Sequence, residues 1–256
     1  MRVLVACEFS GIVRDAFRKR HDAWSCDLLP TEAEDKEHHI IGDVLDILDG
    51  HCGHTPNEHE EMIYNGFMDS PCPPCQEKKP WDLMIAHPPC TYLCSSGLHW
   101  NGRRSGRDAK THEAMLFVLN LMGDGFISHG IQRIALENPV GCISTKYRKP
   151  DQIIQPWQFG HDASKATCLW LKNLPPLLKT KVIEPSYGCQ KCRLQFSYAL
   201  GKYGCPNACG STAKQIWANQ TLSGQNKLWP SKARAMERSR TYQGIAEAMA
   251  DQWGSL

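Results

Sequence analysis

The sequence lacks any long hydrophobic run. Its longest apolar stretch, residues 114 to 122, is interrupted by Asn120 and falls far short of the ~20 residues that a membrane-spanning helix needs. The opening apolar run, residues 3 to 7, is also short, and Glu8 follows it at once, which does not fit a signal peptide. We therefore expect a cytoplasmic protein with no membrane role.

A strong charge of either sign is also missing. The 256 residues include 29 Lys and Arg against 27 Asp and Glu, which gives a formal net charge of +2. No global field draws nucleic acid to such a chain, so any binding of this kind needs local basic patches. The length allows one α/β domain of ordinary size plus a small appendage.

Cysteine, by contrast, is plentiful, with 13 residues. In a reduced cytosol, cysteine clusters favour metal binding or catalysis over disulfides. Two pairs, Cys189-x2-Cys192 and Cys205-x3-Cys209, have the spacing of zinc knuckles. We expect a zinc ribbon over residues 185 to 215 whose basic and aromatic side chains either contact DNA or merely surround a structural staple. These side chains are Lys191, Arg193, Lys202, Lys214, Phe196, Tyr198 and Tyr203.

A second group of cysteines falls in a polar stretch, residues 49 to 80, which has neither helical nor strand periodicity and looks inserted. Cys72 and Cys75, together with Cys52 or a nearby His, are ligand types that suit a second structural Zn²⁺. The alternative is a solvated loop.

The first residues predict a strand, a turn and a helix. An apolar run over residues 2 to 7 precedes Gly11, and a helical pattern starts at Ile12. Such a turn lets backbone amides at a helix N-terminus approach a ligand. A second strand ends at Asp27, which suits ribose hydroxyls or a helix N-cap, and a third ends near Asp43, which suits an adenine amino group or a turn. Together these strand ends predict one adenosine-like ligand.

The stretch from residue 81 to residue 97 contains the central candidate for catalysis, Cys90. An apolar run over residues 83 to 86 predicts a buried strand, which Pro88 and Pro89 stop. Cys90 then lies at a strand end, where open α/β sheets bind their ligands. The thiol is placed for chemistry, although many free cysteines are simply buried.

A basic stretch and an acid follow Cys90. We expect residues 95 to 112 to form a loop that closes over a phosphate-bearing substrate, or else a merely exposed basic loop, and residues 113 to 122 to form a helix. A strand over residues 131 to 136 then ends at Glu137, whose carboxyl group can act as a general acid toward a ring nitrogen. The candidate nucleic-acid contacts in the loop are Arg103, Arg104 and Arg107.

These motifs resemble those of the S-adenosylmethionine-dependent DNA cytosine-5 methyltransferases, most of all the short versions carried by phages and prophages. Residues 238 to 253 look like the final motif of that family, a turn and helix that return to the cofactor pocket. The other matching segments, in order, are FSG at 9 to 11, Asp27, GD at 42 to 43, PPC at 88 to 90 and ENP at 137 to 139.

The resemblance implies a fold and a partner. We expect an α/β fold, with a Rossmann-like class I methyltransferase domain over residues 1 to 184, the zinc ribbon at 185 to 215 as a reduced target-recognition element, and a C-terminal segment over 216 to 256. The substrate would be duplex DNA with the target base flipped out of the stack. The chain would be a monomer in a bacterial or phage-infected cell.

The resemblance also implies roles for single residues. Cys90 would attack carbon 6 of cytosine, Glu137 would hold a proton at ring N3, and Lys165 would stand for the first arginine of a paired-arginine motif. S-adenosylmethionine would be held by Phe9, Ser10, Gly11, Asp27, Leu28, Asp43, Val44 and Pro88.

Four positions depart from the family pattern. His87 stands where a small residue is usual, Thr91 replaces Gln, Pro139 replaces Val, and Thr167 replaces the second arginine. Other functions therefore stay open. One is methyl transfer to another pyrimidine, to RNA, to a free nucleotide or to an exocyclic amino group, and another is a non-catalytic, zinc-stabilised nucleic-acid-binding protein.

Overall fold

The structure, a computed structural model, describes residues 1–49, 80–127, 129–201, 204–228, 231 and 234–256. The second zinc site expected at Cys52, Cys72 and Cys75 lies outside the described residues, as do Lys202 and Tyr203. The chain divides into two compact units. The first consists of Met1–Ile153, Thr167–Pro176 and Met249–Leu256, and the second of Ile154–Ala166 and Leu177–Ala248.

A mixed, mostly parallel sheet forms the centre of the first unit, which confirms the expected α/β class. Within the described ranges it has seven strands in the order β3-β2-β1-β4-β5-β7-β6. The strands are β1 Arg2–Ala6, β2 Asp22–Asp27, β3 His39–Ile41, β4 Leu83–Ala86, β5 Arg133–Pro139, β6 Gln152–Ile154 and β7 Thr167–Lys172.

The direction of the strands fixes where a ligand can bind. β3, β2, β1, β4 and β5 pair in parallel, whereas β7 runs antiparallel to β5. From β1 the chain builds one half of the sheet and then returns to start the other half at β4, so β1 and β4 flank the point where the strand order reverses. In open α/β sheets, ligands bind outside the carboxyl ends of the strands at that point.

The central strands form because their residues are apolar in unbroken runs, as in sheets that are covered on both faces. All four residues of β4 are fully buried, and so are Val3 to Ala6 of β1. Leu4 and Met84 belong to one core cluster together with Ile134 of β5. Burial of each such side chain stabilises the fold by roughly 1.5–3 kcal/mol.

None of the described helices is long and apolar enough to cross a membrane. Two short 3-10 turns, Cys90–Tyr92 and Pro156–Gln158, complete the helical elements of the described residues. The helices are α1 Ile12–Arg18, α2 Val44–Leu48, α3 Ser95–Leu98, α4 Arg107–Met122, α5 Ile143–Lys146, α6 Tyr198–Gly201, α7 Arg234–Ser239 and α8 Gln243–Trp253.

Two predicted boundaries are wrong. Residues 95 to 112 are not one loop, because α3 lies within them and α4 begins at Arg107 rather than at residue 113. Gly106 takes a left-handed conformation, with φ 73°, directly before α4, and Asp108 places an acid in its first turn, which the helix dipole favours. Glu137 lies inside β5 instead of after it, because the pairing with β7 continues to Pro139.

The second unit contains a three-stranded antiparallel sheet of the order β10-β8-β9. Its strands are β8 Ser186–Cys189, β9 Leu194–Phe196 and β10 Lys214–Ile216. Elsewhere in this unit, the rings of Trp157 and Trp217 stack with their centroids 5.5 Å apart. The small sheet falls in the segment for which a zinc ribbon was expected.

Candidate functional site

The loop after β1 is shaped by Gly11. Its φ of 72° is left-handed, and a Cβ added there would lie 2.6 Å from the Cβ of Ala33, so only glycine fits. The helix α1 begins at the next residue. Two amides in its first turn already have a partner within the chain. The Glu8 carboxylate accepts hydrogen bonds from the backbone N–H groups of Val13, at 2.7 Å, and Arg14, at 3.1 Å. These two amides are therefore paired within the chain, and a ligand contact of Phe9, Ser10 and Gly11 in the preceding turn stays a prediction.

Glu8 itself is buried, with 4% of its surface exposed. Burial raises the pKa of this carboxyl group, while the nearby His87 and the two backbone donors act in the opposite direction. The Ser10 hydroxyl also donates to Glu8, at 3.2 Å. The loop is thus held from inside by one carboxyl group.

Acids lie at the ends of β2 and β3, as predicted. Asp27 closes a local turn by accepting from the Leu29 backbone N–H, and Asp43 caps α2 by accepting from Leu45, each at 2.9 Å. Asp27 does not cap a helix. Leu28 beside it is 72% exposed, whereas the Val44 side chain is buried, so Val44 can meet a ligand only through its backbone.

Cys90 starts a 3-10 turn directly after the two prolines and is half-buried. Its carbonyl accepts from the backbone N–H groups of Leu93, at 3.0 Å, and Cys94, at 2.9 Å. The Arg107 guanidinium donates to the carbonyls of Thr91 and Gly97, at 3.0 and 3.2 Å. The turn that carries the thiol is therefore fixed by backbone hydrogen bonds and by one arginine.

The ends of β4 and β5 lie side by side, since Ala86 pairs with Leu136. Beyond this pair, the His87 Nδ1 lies 2.8 Å from the Glu137 Oε2, and the Asn138 Nδ2 donates to the Pro88 carbonyl at 2.8 Å. Glu137 is 8% exposed and Asn138 2%. The turn after β4 that carries Cys90 and the last residues of β5 that carry Glu137 are thus joined by hydrogen bonds, which is an arrangement suited to nucleophilic attack combined with proton transfer.

Cys94 is a residue of this site that the sequence prediction missed. Hydrogen bonding from the Cys90 thiol is the main reason why the pKa of Cys94 falls to about 5, and the Ser96 hydroxyl, 3.2 Å from its sulfur, adds to the effect. The thiolate form of Cys94 is therefore favoured beside the Cys90 thiol. The spacing of four residues, which is one helical turn, was the signal for this pair in the sequence.

The three arginines of the predicted basic loop differ in their surroundings. Arg103 is exposed. Arg104 is also exposed and lies over the Trp100 ring, 4.2 Å from its centroid. Arg107 lies over the Tyr92 ring, at 4.8 Å, in addition to its two backbone contacts. Contact of the three arginines with nucleic acid stays a prediction, and Arg107 in addition binds the Cys90 turn.

Lys165 belongs to the second unit, while Cys90 and Glu137 belong to the first. Its Nζ donates to the carbonyl of Arg240 at 3.1 Å, and its backbone N–H donates to the Gln155 side chain at 2.9 Å. The role of Lys165 in orienting a substrate stays a prediction.

The four cysteines of the expected ribbon come together. Their sulfur atoms all lie within 4.8 Å of one another, and no other metal-ligand group of this kind occurs among the described residues. Cys189 and Cys209 are 3.5 Å apart, and Cys192 and Cys205 are 3.8 Å apart. A tetrahedral Zn²⁺ with Zn–S bonds of about 2.3 Å requires sulfur separations of about 3.8 Å. The donor set and its dimensions therefore fit one zinc ion.

The chain was compared with protein families, curated proteins and solved structures. No family model matches the chain, and no curated protein does. Among solved structures, the chain is similar to one described as a candidate DNA modification methyltransferase encoded within a prophage (E. coli), with 12% identity over 81% of this chain and a TM-score of 0.40. The chain spans about half of that structure, 56% of its length.

Proposed function

We propose that the protein is an S-adenosylmethionine-dependent methyltransferase that acts on carbon 5 of cytosine in DNA. The observation that carries this proposal is the juxtaposition of the Cys90 turn and Glu137 at the ends of the adjacent strands β4 and β5. The motifs FSG, PPC and ENP all lie at the carboxyl edge of the parallel strands, where an α/β sheet binds its ligands.

The residues expected to hold the cofactor fit an adenosine group. At the end of β2, the carboxylate of Asp27 is an acceptor for ribose hydroxyls, and the exposed Leu28 beside it offers an apolar surface for adenine. Asp43 and the backbone of Val44 lie at the end of the neighbouring β3. When bound, S-adenosylmethionine supplies an electrophilic methyl group. The remaining residues proposed for this site are Phe9, Ser10, Gly11 and Pro88.

The surroundings of Cys90 support the proposed thiol chemistry. As the Cys90 sulfur attacks carbon 6 of cytosine, its proton has an acceptor in the Cys94 thiolate. Glu137 holds a proton at ring N3, so that electron density moves to carbon 5, which becomes nucleophilic. After methylation, a base removes the proton from carbon 5 and the sulfur leaves carbon 6. Duplex DNA also has to release the target base from the stack, at roughly a few kcal/mol.

The second unit would supply recognition. We propose that the four cysteines bind Zn²⁺ and that this ribbon, with exposed Lys191 and Lys214, serves as a small target-recognition element. Lys165 would orient the substrate, and Arg103 and Arg104 would contact the DNA backbone. DNA steering by such local patches is compatible with a formal net charge of only +2.

The test is transfer of labelled methyl from S-adenosylmethionine to duplex DNA, followed by nucleoside analysis, for the wild type, Cys90→Ala and Cys142→Ala. Cys142 is a buried cysteine in the core of the same unit and serves as the matched control. Labelled 5-methylcytosine in the wild type and in Cys142→Ala, but not in Cys90→Ala, is the expected result.

Other results would contradict parts of the proposal. Label on another base or on RNA would retain methyl transfer and overturn the cytosine assignment. Label that persists in Cys90→Ala would overturn the thiol chemistry. Binding of DNA without any transfer would favour a non-catalytic nucleic-acid-binding protein.

A further inference from the structure

His87 lies between two buried acids at the end of β4. β4 has β1 on one side and β5 on the other, and each neighbour brings one titratable group toward the imidazole. From β5, the Oε2 of Glu137 lies 2.8 Å from Nδ1. From the loop after β1, Glu8 is close enough for the charge of His87 to lower its pKa against the larger effect of burial. One imidazole therefore adjoins both the proposed cofactor loop and the proposed proton donor.

The position of His87 is fixed by the backbone. Its N–H donates to the Ala6 carbonyl at 2.9 Å, which continues the parallel pairing of β4 with β1. The next two residues are prolines, whose rings hold φ near about −65°. The side chain is 11% exposed. A substrate is thus not needed to bring the imidazole to Glu137.

The contact between His87 and Glu137 requires one proton between Nδ1 and Oε2. An ionised carboxylate only accepts hydrogen bonds, so in that state the proton must lie on Nδ1. The hydrogen bond also orients the carboxyl group, because only one of its two oxygen atoms can meet the imidazole. Since Oε2 faces His87, the proton that Glu137 would give to a cytosine ring would be carried by its other oxygen, Oε1.

We propose that His87 is a positioning residue for Glu137, an inference that rests on the proposed function. When Glu137 gives its proton to ring N3, the Nδ1–H of His87 stabilises the carboxylate that forms. When the sulfur of Cys90 leaves carbon 6, N3 returns the proton to Oε1 of Glu137. Glu137 thus ends the cycle with the proton that it held at the start, while the proton from carbon 5 leaves with the base that removes it, and His87 does not touch the substrate.

The variants for the test are His87→Leu, which removes the donor at similar size, and His87→Asn, whose side-chain N–H₂ can replace Nδ1–H. His112→Asn, at an exposed position of α4, is the matched control. For His87→Leu we expect a fall in the single-turnover methylation rate of about 10- to 100-fold, the effect of one hydrogen bond to a charged group. The KM for DNA should change less than about twofold, because uniform binding is not altered.

The pH profile separates positioning from mere packing. An N–H donor favours the carboxylate form of Glu137, so removing it should let Glu137 keep its proton to higher pH. The alkaline limb of the rate profile should therefore move to higher pH in His87→Leu and return to its wild-type position in His87→Asn. Full activity of His87→Leu, or a loss that His87→Asn does not restore although it folds, would overturn the inference. Circular dichroism and thermal unfolding establish that each variant is folded.

A second measurement does not depend on turnover. In ¹⁵N NMR spectra of the wild-type protein, with His87 assigned by its loss in His87→Asn, the chemical shifts should report a proton on Nδ1. An imidazole protonated on Nε2 alone would overturn the inference even if 5-methylcytosine is formed. A wild type without any methyl transfer would overturn the proposed function and this inference together, whereas normal transfer by His87→Leu would overturn the inference alone.

Discussion

The Asn138 side chain donates a hydrogen bond to the Pro88 carbonyl across the gap between β5 and the turn after β4, over 2.8 Å. Both groups are buried, so neither has ready access to water as a substitute partner. The ENP segment therefore supports the PPC segment directly, and the position of Cys90 depends on Asn138 of the neighbouring strand.

Asn138→Ala should lower both stability and activity. Removing the amide leaves the buried Pro88 carbonyl unsatisfied, which costs about 1–3 kcal/mol of unfolding free energy. Urea unfolding and methylation rates check this. Ser95→Ala is the matched control, because the Ser95 hydroxyl donates to the Val140 carbonyl at 2.9 Å in an exposed position and its loss should stay within about 0.5 kcal/mol. Equal losses in the two variants would contradict the prediction.

Arg103→Ala and Arg107→Ala should differ in kind. Exposed Arg103 is placed for a phosphate, so its removal should weaken DNA binding and reduce the slope of log K against log salt by about 1. Arg107 binds the carbonyls of Thr91 and Gly97, so Arg107→Ala should lower the methylation rate with the salt slope unchanged. Titrations of DNA binding at several salt concentrations measure the slope for each variant. A reduced slope for Arg107→Ala would contradict the structural role of Arg107.

Cys94 should be the most acid of the thiols near the site. With its pKa at about 5, first because of the hydrogen bond from Cys90, it is a thiolate at neutral pH, and its alkylation by iodoacetamide should slow only as the pH falls through about 5. In Cys90→Ala the midpoint should rise. Mass spectrometry of labelled peptides measures both. Buried Cys142, whose pKa is raised by burial, should stay unlabelled, and an unchanged midpoint in Cys90→Ala would refute the thiol pair.

Glu8→Gln should change the pH dependence of stability. Burial raises the pKa of Glu8 above its ordinary 4.5, so the folded state binds this proton more tightly than the unfolded state. The contribution of Glu8 is therefore most favourable below pH 4.5 and is lost as the pH rises through the folded-state pKa. Relative to the wild type, Glu8→Gln should gain stability with rising pH. Urea unfolding from pH 4 to 8, with exposed Glu113→Gln as the control, tests the sign.

The cysteine cluster should hold about one zinc ion per chain. Cys192→Ser should lose the metal, whereas Cys94→Ser, outside the cluster, should retain it. Elemental analysis of purified protein measures the content. A strong chelator should also lower the unfolding temperature of the wild type but not that of Cys192→Ser. A wild type that contains no zinc, or a Cys192→Ser variant that contains as much as the wild type, would contradict the assignment.

The sequence allowed the strand ends to be predicted because the signals there are local. The run before Pro88 is apolar and two prolines stop it, so a buried strand followed by a thiol at the strand end was the simplest arrangement. The cysteine pairs at 189 and 205 are likewise local, since a tight turn sets the distance between two thiolates.

Other features depend on side-chain contacts between distant segments. The start of α4 at Arg107 follows the left-handed conformation of Gly106. The sequence analysis missed this start because it interpreted the basic stretch as a loop. The cap of α1 by Glu8 was also missed, because Glu8 precedes the helix by four residues and the typical N-cap is much closer. The contact of His87 with Glu137 joins residues 50 positions apart, a distance over which no spacing rule applies.

The pairing of β1 with β4 sets the point in synthesis after which the two halves of the sheet can join. Val3 lies beside Leu83, so the two strands that flank the proposed ligand crevice are 80 positions apart in the chain. During synthesis β1, β2 and β3 are complete long before β4 emerges, and contacts so distant in sequence form slowly. In a nascent chain that stops before β4, β1 lacks the neighbour that it has on this side in the folded protein. The proposed ligand crevice is therefore complete only after β4 has paired with β1.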